Sequence, residues 1–92
     1  MNGEKYVLVF SPIFEQAVRR LKKKKPDLVR ELVSRFPKLA RTPELGKPLK
    51  NVLRTYRRIH IEGSFVLLYE IQGSVVRLLD FDHHNKIYKK YS

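Results

Sequence analysis

The sequence predicts an α+β domain in which two N-terminal helices pack on one face of an antiparallel sheet. Three observations point there. A short run of β-formers opens the chain, two proline-punctuated stretches with helical apolar spacing follow, and the second half holds β-rich runs separated by Gly-containing turns. The order is β-α-α-β-β-β, over a span (residues 1–92) that suits one domain.

The first strand is Lys5–Phe10, with its Tyr-Val-Leu-Val-Phe run. Ser11-Pro12 then supplies an N-cap followed by proline at the first helical position. Glu15 suits the first turn, Phe14, Val18 and Leu21 recur on one face, and Lys22 to Lys25 suit the C-terminal dipole. Pro26 stops this helix and starts the next, with Asp27 near its N-terminus. Leu28, Leu32, Phe36 and Leu39 form the second buried stripe, and Pro37 should kink or end it at Phe36. Arg41–Asn51, with Pro43, Gly46 and Pro48, reads as a loop. Arg57–Ile61 then alternates Arg58 and His60 with Ile59 and Ile61, giving one polar and one apolar row. Glu62-Gly63-Ser64 is a turn, and Phe65–Ile71 is apolar enough for a strand covered on both faces. Gln72-Gly73-Ser74 turns into a last strand, Val75–Phe81, and the tail Asp82–Ser92 forms a short helix or an extended cap.

Charge gives the first functional pointer. The chain carries 20 Lys plus Arg against 9 Asp plus Glu, a net +11, with a pI near 10.2. Heat-adapted surfaces raise Lys and Glu together; here Glu does not keep pace, so a polyanion partner is expected. The absence of cysteine excludes a disulfide scaffold and a thiolate zinc site. Apolar runs such as Phe65–Tyr69 are too short to span a bilayer. The apolar stretch after Lys5 is too short for a signal-peptide core, so a cytoplasmic, non-membrane protein is expected.

The histidines, His60, His83 and His84, all lie in the C-terminal half, near Lys47, Arg54, Arg57, Arg58 and Tyr88. An imidazole from the middle strand and one from the tail can share a cleft if their strands neighbour each other. That set suits metal-free RNA cleavage. The RNA's own 2′-hydroxyl attacks the adjacent phosphorus, a base takes its proton, an acid protonates the leaving 5′-oxygen, and cations meet the phosphoryl charge. Histidine, with an ordinary pKa near 6.5, serves as acid or base, and arginine or lysine supplies the charge. Asp80, Asp82, His83 and His84 include metal-ligand types, but their spacing matches no metal motif. No cofactor or metal is expected. The single glycines Gly3, Gly46, Gly63 and Gly73 read as turn residues. Arg19-Arg20 and Lys22–Lys25 form a basic run that suits either a solvated helix end or phosphate contact. Tyr56, Tyr88 and Tyr91 are candidates to stack on bases, while Tyr69, inside an apolar strand, reads as core.

The succession Gly46-Lys47-Pro48-Leu49-Lys50-Asn51, then Tyr56-Arg57-Arg58, then Phe65–Ile71, then His83-His84 and Tyr88 resembles the RelE/ParE superfamily, the small basic toxins of type II toxin–antitoxin pairs. The similarity covers nearly the whole chain, and His60-Ile61-Glu62 leading to Leu67-Leu68-Tyr69 looks most like the YafQ branch of histidine-dependent mRNA interferases. The resemblance implies a RelE-like fold and an endoribonuclease that cuts mRNA on the ribosome. It makes His60, His84, Arg58 and Tyr88 catalytic, with Lys47, Lys50, Arg54, Arg57 and Lys86 as RNA-phosphate contacts. It implies an acidic antitoxin, mRNA and the 16S rRNA region of the ribosome as partners, and a toxin–antitoxin hetero-oligomer. The chain departs from the pattern at Ser64, where YafQ-like toxins carry an Asp, at Lys47, near which they carry a His, and at Val66, where RelE proper carries an Arg. The alternative is a ParE-like gyrase poison, or an inactive homologue that only binds, since the fold is shared.

Overall fold

The computed structural model describes residues 5–50 and 55–91. Strand β1 (Val7–Phe10) leads into helix α1 (Pro12–Lys24), whose N-cap Ser11 accepts a hydrogen bond from the Phe14 amide through its side-chain oxygen at 3.0 Å. Pro26 opens helix α2 (Pro26–Ser34), and a new helix, α3 (Phe36–Arg41), carries Pro37 in its first turn. The expected break at Pro37 is therefore a restart: proline lacks an N–H but fits a helix's first turn, where that donor has no partner. A single 3₁₀ turn (Pro43–Leu45) and a two-residue strand β2 (Lys47–Pro48) occupy the segment expected as loop. Strands β3 (Tyr56–Ile61), β4 (Phe65–Gln72) and β5 (Val75–His83) form the meander, and the tail is helical as α4 (His84–Lys90).

The five-stranded sheet has the order β1-β5-β4-β3-β2. All its pairings are antiparallel except β1 with β5 at one edge, which is parallel. The antiparallel pairs β3–β4 and β4–β5 are joined by tight turns, whereas β1 and β5 are separated by the intervening helices and strands, long enough for a crossover. The β3–β4 turn places both Glu62 and Gly63 at positive φ, 54° and 78°, the backbone that a tight hairpin requires. On one face, Phe14, Leu21, Leu28, Leu32 and Leu39 pack against Ile59, Ile61, Leu67, Tyr69, Leu78 and Phe81. This is the expected α+β arrangement, and β4 is covered on both faces as its apolar run implied, with Val66 and Leu68 fully buried opposite the two long helices.

A register shift in β5 decides what the second face becomes. Leu68 pairs with Asp80 and Tyr69 with Leu78, so Leu79 is an extra residue on β5. Strict alternation would place Asp80 on the core side with Val76 and Leu78. The bulge reverses the parity, so that Phe81 joins the core and Asp80 faces the other way. Ser11 holds the bulge, its hydroxyl donating to the Leu79 carbonyl at 2.8 Å and its amide to that of Leu78 at 3.0 Å. Asp80, though buried, is then met by α4: Lys90 Nζ and Tyr91 Oη both donate to Oδ2 at 2.9 Å, while the Phe81 amide donates to Oδ1 at 2.8 Å. Burial, then the Asp80 carboxylate, push the Tyr91 hydroxyl above its ordinary pKa. With Ile87 buried beneath it, α4 is pinned across the sheet.

Candidate functional site

β3 lays Tyr56, Arg58 and His60 along one row, opposite Glu70, Leu68 and Val66 of β4 and therefore on the α4 side. α4 crosses this row in the opposite direction. The Tyr91 ring meets Tyr56 edge-on at 6.4 Å between centroids, and Arg58 Cζ lies 5.9 Å from the Tyr88 ring. Tyr88 Oη is 3.4 Å from His60 Nε2, a long hydrogen-bonding distance. The His84 ring is 6.2 Å from that of Tyr88. A strand row of period two thus meets a helical stripe of His84, Tyr88 and Tyr91. Their lengths nearly match: four strand residues span about 13 Å and seven helical ones about 10 Å.

On the other side of the row, β2 pairs Lys47 with Arg58, and an open cleft of about 250 Å³ is lined by Leu45, Lys47, Arg58, Ile59 and His60. The segment carrying Lys47 is held from behind. Buried Tyr69 donates to the Pro43 carbonyl at 2.5 Å and accepts from the Gly46 amide at 2.9 Å, its hydroxyl pKa raised chiefly by burial. Arg57 donates to the carbonyls of Gly46 at 2.7 Å and Glu44 at 3.2 Å. Gly46 is not a turn residue as expected. Its backbone is extended, and a Cβ there would meet the Tyr69 hydroxyl and lie 2.8 Å from the Arg58 carbonyl oxygen.

The structure sorts the expected site residues by position. His60, His84, Arg58 and Tyr88 come together, with Lys47 beside them. Arg57 lies on the opposite row, tied to backbone carbonyls. The strand alternation that groups Arg58 with His60 already carries that signal. Lys50 and Lys86 are exposed, and Arg54 lies outside the described residues. The two adjacent histidines divide. His83 caps α4, its Nδ1 accepting from the Asn85 amide at 3.2 Å, and meets Phe65 edge-on at 5.7 Å. His84 stacks on His83 at 4.4 Å and faces Tyr88. Asp82 is engaged by the His83 amide at 2.8 Å and Arg20 at 3.7 Å, and Asp80 by α4. Among the described residues no group of three or more His, Cys, Asp or Glu side chains is placed to hold a metal ion. Sequence reasoning missed Asp80 as the anchor of α4; a lone carboxylate inside Leu78-Leu79-Asp80-Phe81 was the available sign.

A mostly antiparallel sheet with two long helices on one face and a short C-terminal helix on the other is the architecture of RelE-like toxins. The model of the ParE toxin of type II toxin–antitoxin systems, parDE, matches residues 8–88, and the chain belongs to that family, within the RelE/ParE superfamily. A Methanocaldococcus jannaschii protein bearing the toxin name RelE4 is 29% identical over 87 residues, covering 92% of this chain and 93% of the relative. The Mycobacterium tuberculosis toxin–antitoxin complex RelBE2 contains a chain 27% identical, with a TM-score of 0.75, over 89% of this chain and 94% of that one. YafQ from E. coli, 18% identical with a TM-score of 0.67 over 90% of this chain and 98% of its own, shares the fold. No helix among the described residues is long and apolar enough to cross a membrane.

Proposed function

We propose that this type II toxin is an mRNA interferase that cuts mRNA on the ribosome by 2′-hydroxyl attack on the neighbouring phosphorus. The observation that carries the reading is the convergence of His60, Arg58 and Tyr88 on one open row, with Tyr88 Oη 3.4 Å from His60 Nε2 and His84 on the same helical stripe. One of His60 and His84 takes the 2′-hydroxyl proton and the other protonates the departing 5′-oxygen. The products are a 2′,3′-cyclic phosphate and a free 5′-hydroxyl. Arg58 and Lys47 meet the charge that grows on the phosphoryl oxygens, and Tyr88 orients His60 and the nucleotide. Arg57 acts at one remove by fixing the segment that carries Lys47. The partner is an acidic antitoxin, a role supported by the complexes in which structural relatives occur, and the basic net charge of +11 suits it.

The family match to ParE toxins favours a second reading, a gyrase poison with no nuclease activity. Expression of the free toxin separates the two. Rapid loss of full-length mRNA without a DNA-damage response supports the interferase, whereas a DNA-damage response with intact mRNA supports the gyrase poison.

A further inference from the structure

Four cations of the basic run of α1 share one side of the helix. Arg19, Arg20, Lys23 and Lys24, with Gln16, line a shallow exposed surface at helical i, i+3, i+4 spacing. Among the described residues, Arg20 alone of these cations reaches a carboxylate, Asp82 at 3.7 Å. Like charges at i, i+4, as in Arg19 with Lys23 and Arg20 with Lys24, repel mildly, and an external anion on this surface would relieve that repulsion.

This stripe joins the candidate site through a chain of contacts. From Tyr88 the path passes to His84 at 6.2 Å and to His83 at 4.4 Å. It continues to Phe65 at 5.7 Å and to Lys25 Nζ at 5.9 Å, at the end of α1. Asp82, which precedes His83, carries Arg20 at the same corner. Among the described residues β5 has no strand neighbour on that side beyond Leu78, and there Arg20 of α1 reaches Asp82, which pairs with Val66 on the face away from the core. A row of four rings therefore leads from the cleft to the cations of α1. Rings that lead to cations suit a single nucleic-acid strand, whose bases stack on rings while its phosphates meet cations; an acidic protein segment has no need of the rings.

We infer that a single RNA strand bound at His60 and Tyr88 continues over His84, His83 and Phe65 onto the Arg19, Lys23 and Lys24 stripe, which is a second phosphate-binding subsite. The inference rests on the reading of the His60 face as an RNA site. It assigns α1 to affinity and strand direction, and leaves the chemistry to the cleft.

The test is binding of 2′-O-methyl RNA, which lacks the attacking hydroxyl, by the full chain and by the triple variant Arg19→Gln, Lys23→Gln, Lys24→Gln. These positions are exposed, and glutamine is a good helix former, so the variant keeps its fold. A second triple variant, Lys5→Gln, Lys38→Gln, Arg41→Gln, removes the same charge beside β1 and α3. For a 12-nucleotide oligomer the stripe variant binds at least about tenfold more weakly, and its log–log salt slope falls by about 2, as expected for three single-strand phosphates. A 3-nucleotide oligomer that fills only the cleft changes less than about twofold, and the β1/α3 variant leaves both oligomers within about twofold. No binding of the 12-mer by the wild type, equal losses for both oligomers, equal losses for both variants, or the same loss for a polyglutamate peptide overturns the inference. Cleavage of ribosome-programmed mRNA is scored separately. Stripe-dependent binding without cleavage refutes the nuclease reading and keeps the RNA track, and cleavage without stripe dependence does the reverse.

Discussion

On the side of the sheet covered by α1 and α2, Phe14, Leu21, Leu28 and Leu32 meet Ile59, Ile61, Leu67 and Phe81 in a continuous apolar core. On the side covered by α4, Ile87 is the buried residue of the helix, and polar groups do the rest: Asp80 with Lys90 and Tyr91, and the His84 amide donating to the Ser64 carbonyl at 2.8 Å. The first face is held by buried area, which gives stability but leaves no room for reactive groups. The second is a seven-residue helix held at a few polar points, over a row of exposed or half-buried functional groups. Local opening free energies are lowest where buried apolar contact is sparse, so α4 is the part of the fold able to yield to a partner while the core stays intact.

Substitutions on the two faces should therefore separate. Leu32→Ala, at a fully buried position of α2, should have the largest effect on stability, about 2–5 kcal/mol, read by urea unfolding. Gly46→Ala should cost about 1–3 kcal/mol, because the new methyl group forces Tyr69 or the Lys47 segment to shift. Cleavage should fall with it, although residue 46 touches no substrate. Asp80→Asn keeps the shape but weakens the tie to Lys90. It should lower amide exchange protection in α4 about tenfold while leaving α1 and α2 protected, a loss within the usual worth of a charged hydrogen bond. Uniform loss of protection across both faces would erase the distinction.

The smallest effect concerns pH. The Tyr91 hydroxyl has a raised pKa in the folded state, so the neutral form is the one the fold favours. That contribution is fully present below the ordinary tyrosine pKa near 10 and is lost as pH rises through the folded value. Tyr91→Phe should therefore show a shallower fall in stability above about pH 10 than the wild type. Parallel curves would mean that Tyr91 ionises as freely in the fold as outside it.

Much of the apolar face was legible because it obeys local rules. Ser11-Pro12 caps α1, Pro26 divides the helices, and Leu28, Leu32 and Leu39 keep helical spacing. The polar row of β3 was legible from Arg58 and His60 alternating with Ile59 and Ile61. The second face was harder to read, since its geometry depends on distant pairings. The Leu79 bulge breaks the alternation of β5, its hydrogen bonds come from Ser11 nearly seventy residues earlier, and only then does Asp80 face α4. A seven-residue helix with one buried apolar residue has too little pattern to distinguish it from an extended cap. The division between His83 and His84 depends on which ring turns back to cap the helix, which adjacent identical residues do not reveal.

The most direct test of the comparison measures cleavage of ribosome-programmed mRNA and melting temperature together, for His60→Ala, His84→Ala, their double variant and Leu32→Ala. Each histidine variant should lose at least about 100-fold in cleavage rate, the usual worth of a positioned acid or base, with its melting temperature nearly unchanged because exposed or half-buried side chains leave no large cavity. The double variant should be scarcely slower than the more damaged single one. Leu32→Ala should melt well below the wild type yet still cleave at temperatures where it remains folded. Full cleavage by both single histidine variants would contradict the account, as would histidine losses that simply follow the melting temperature.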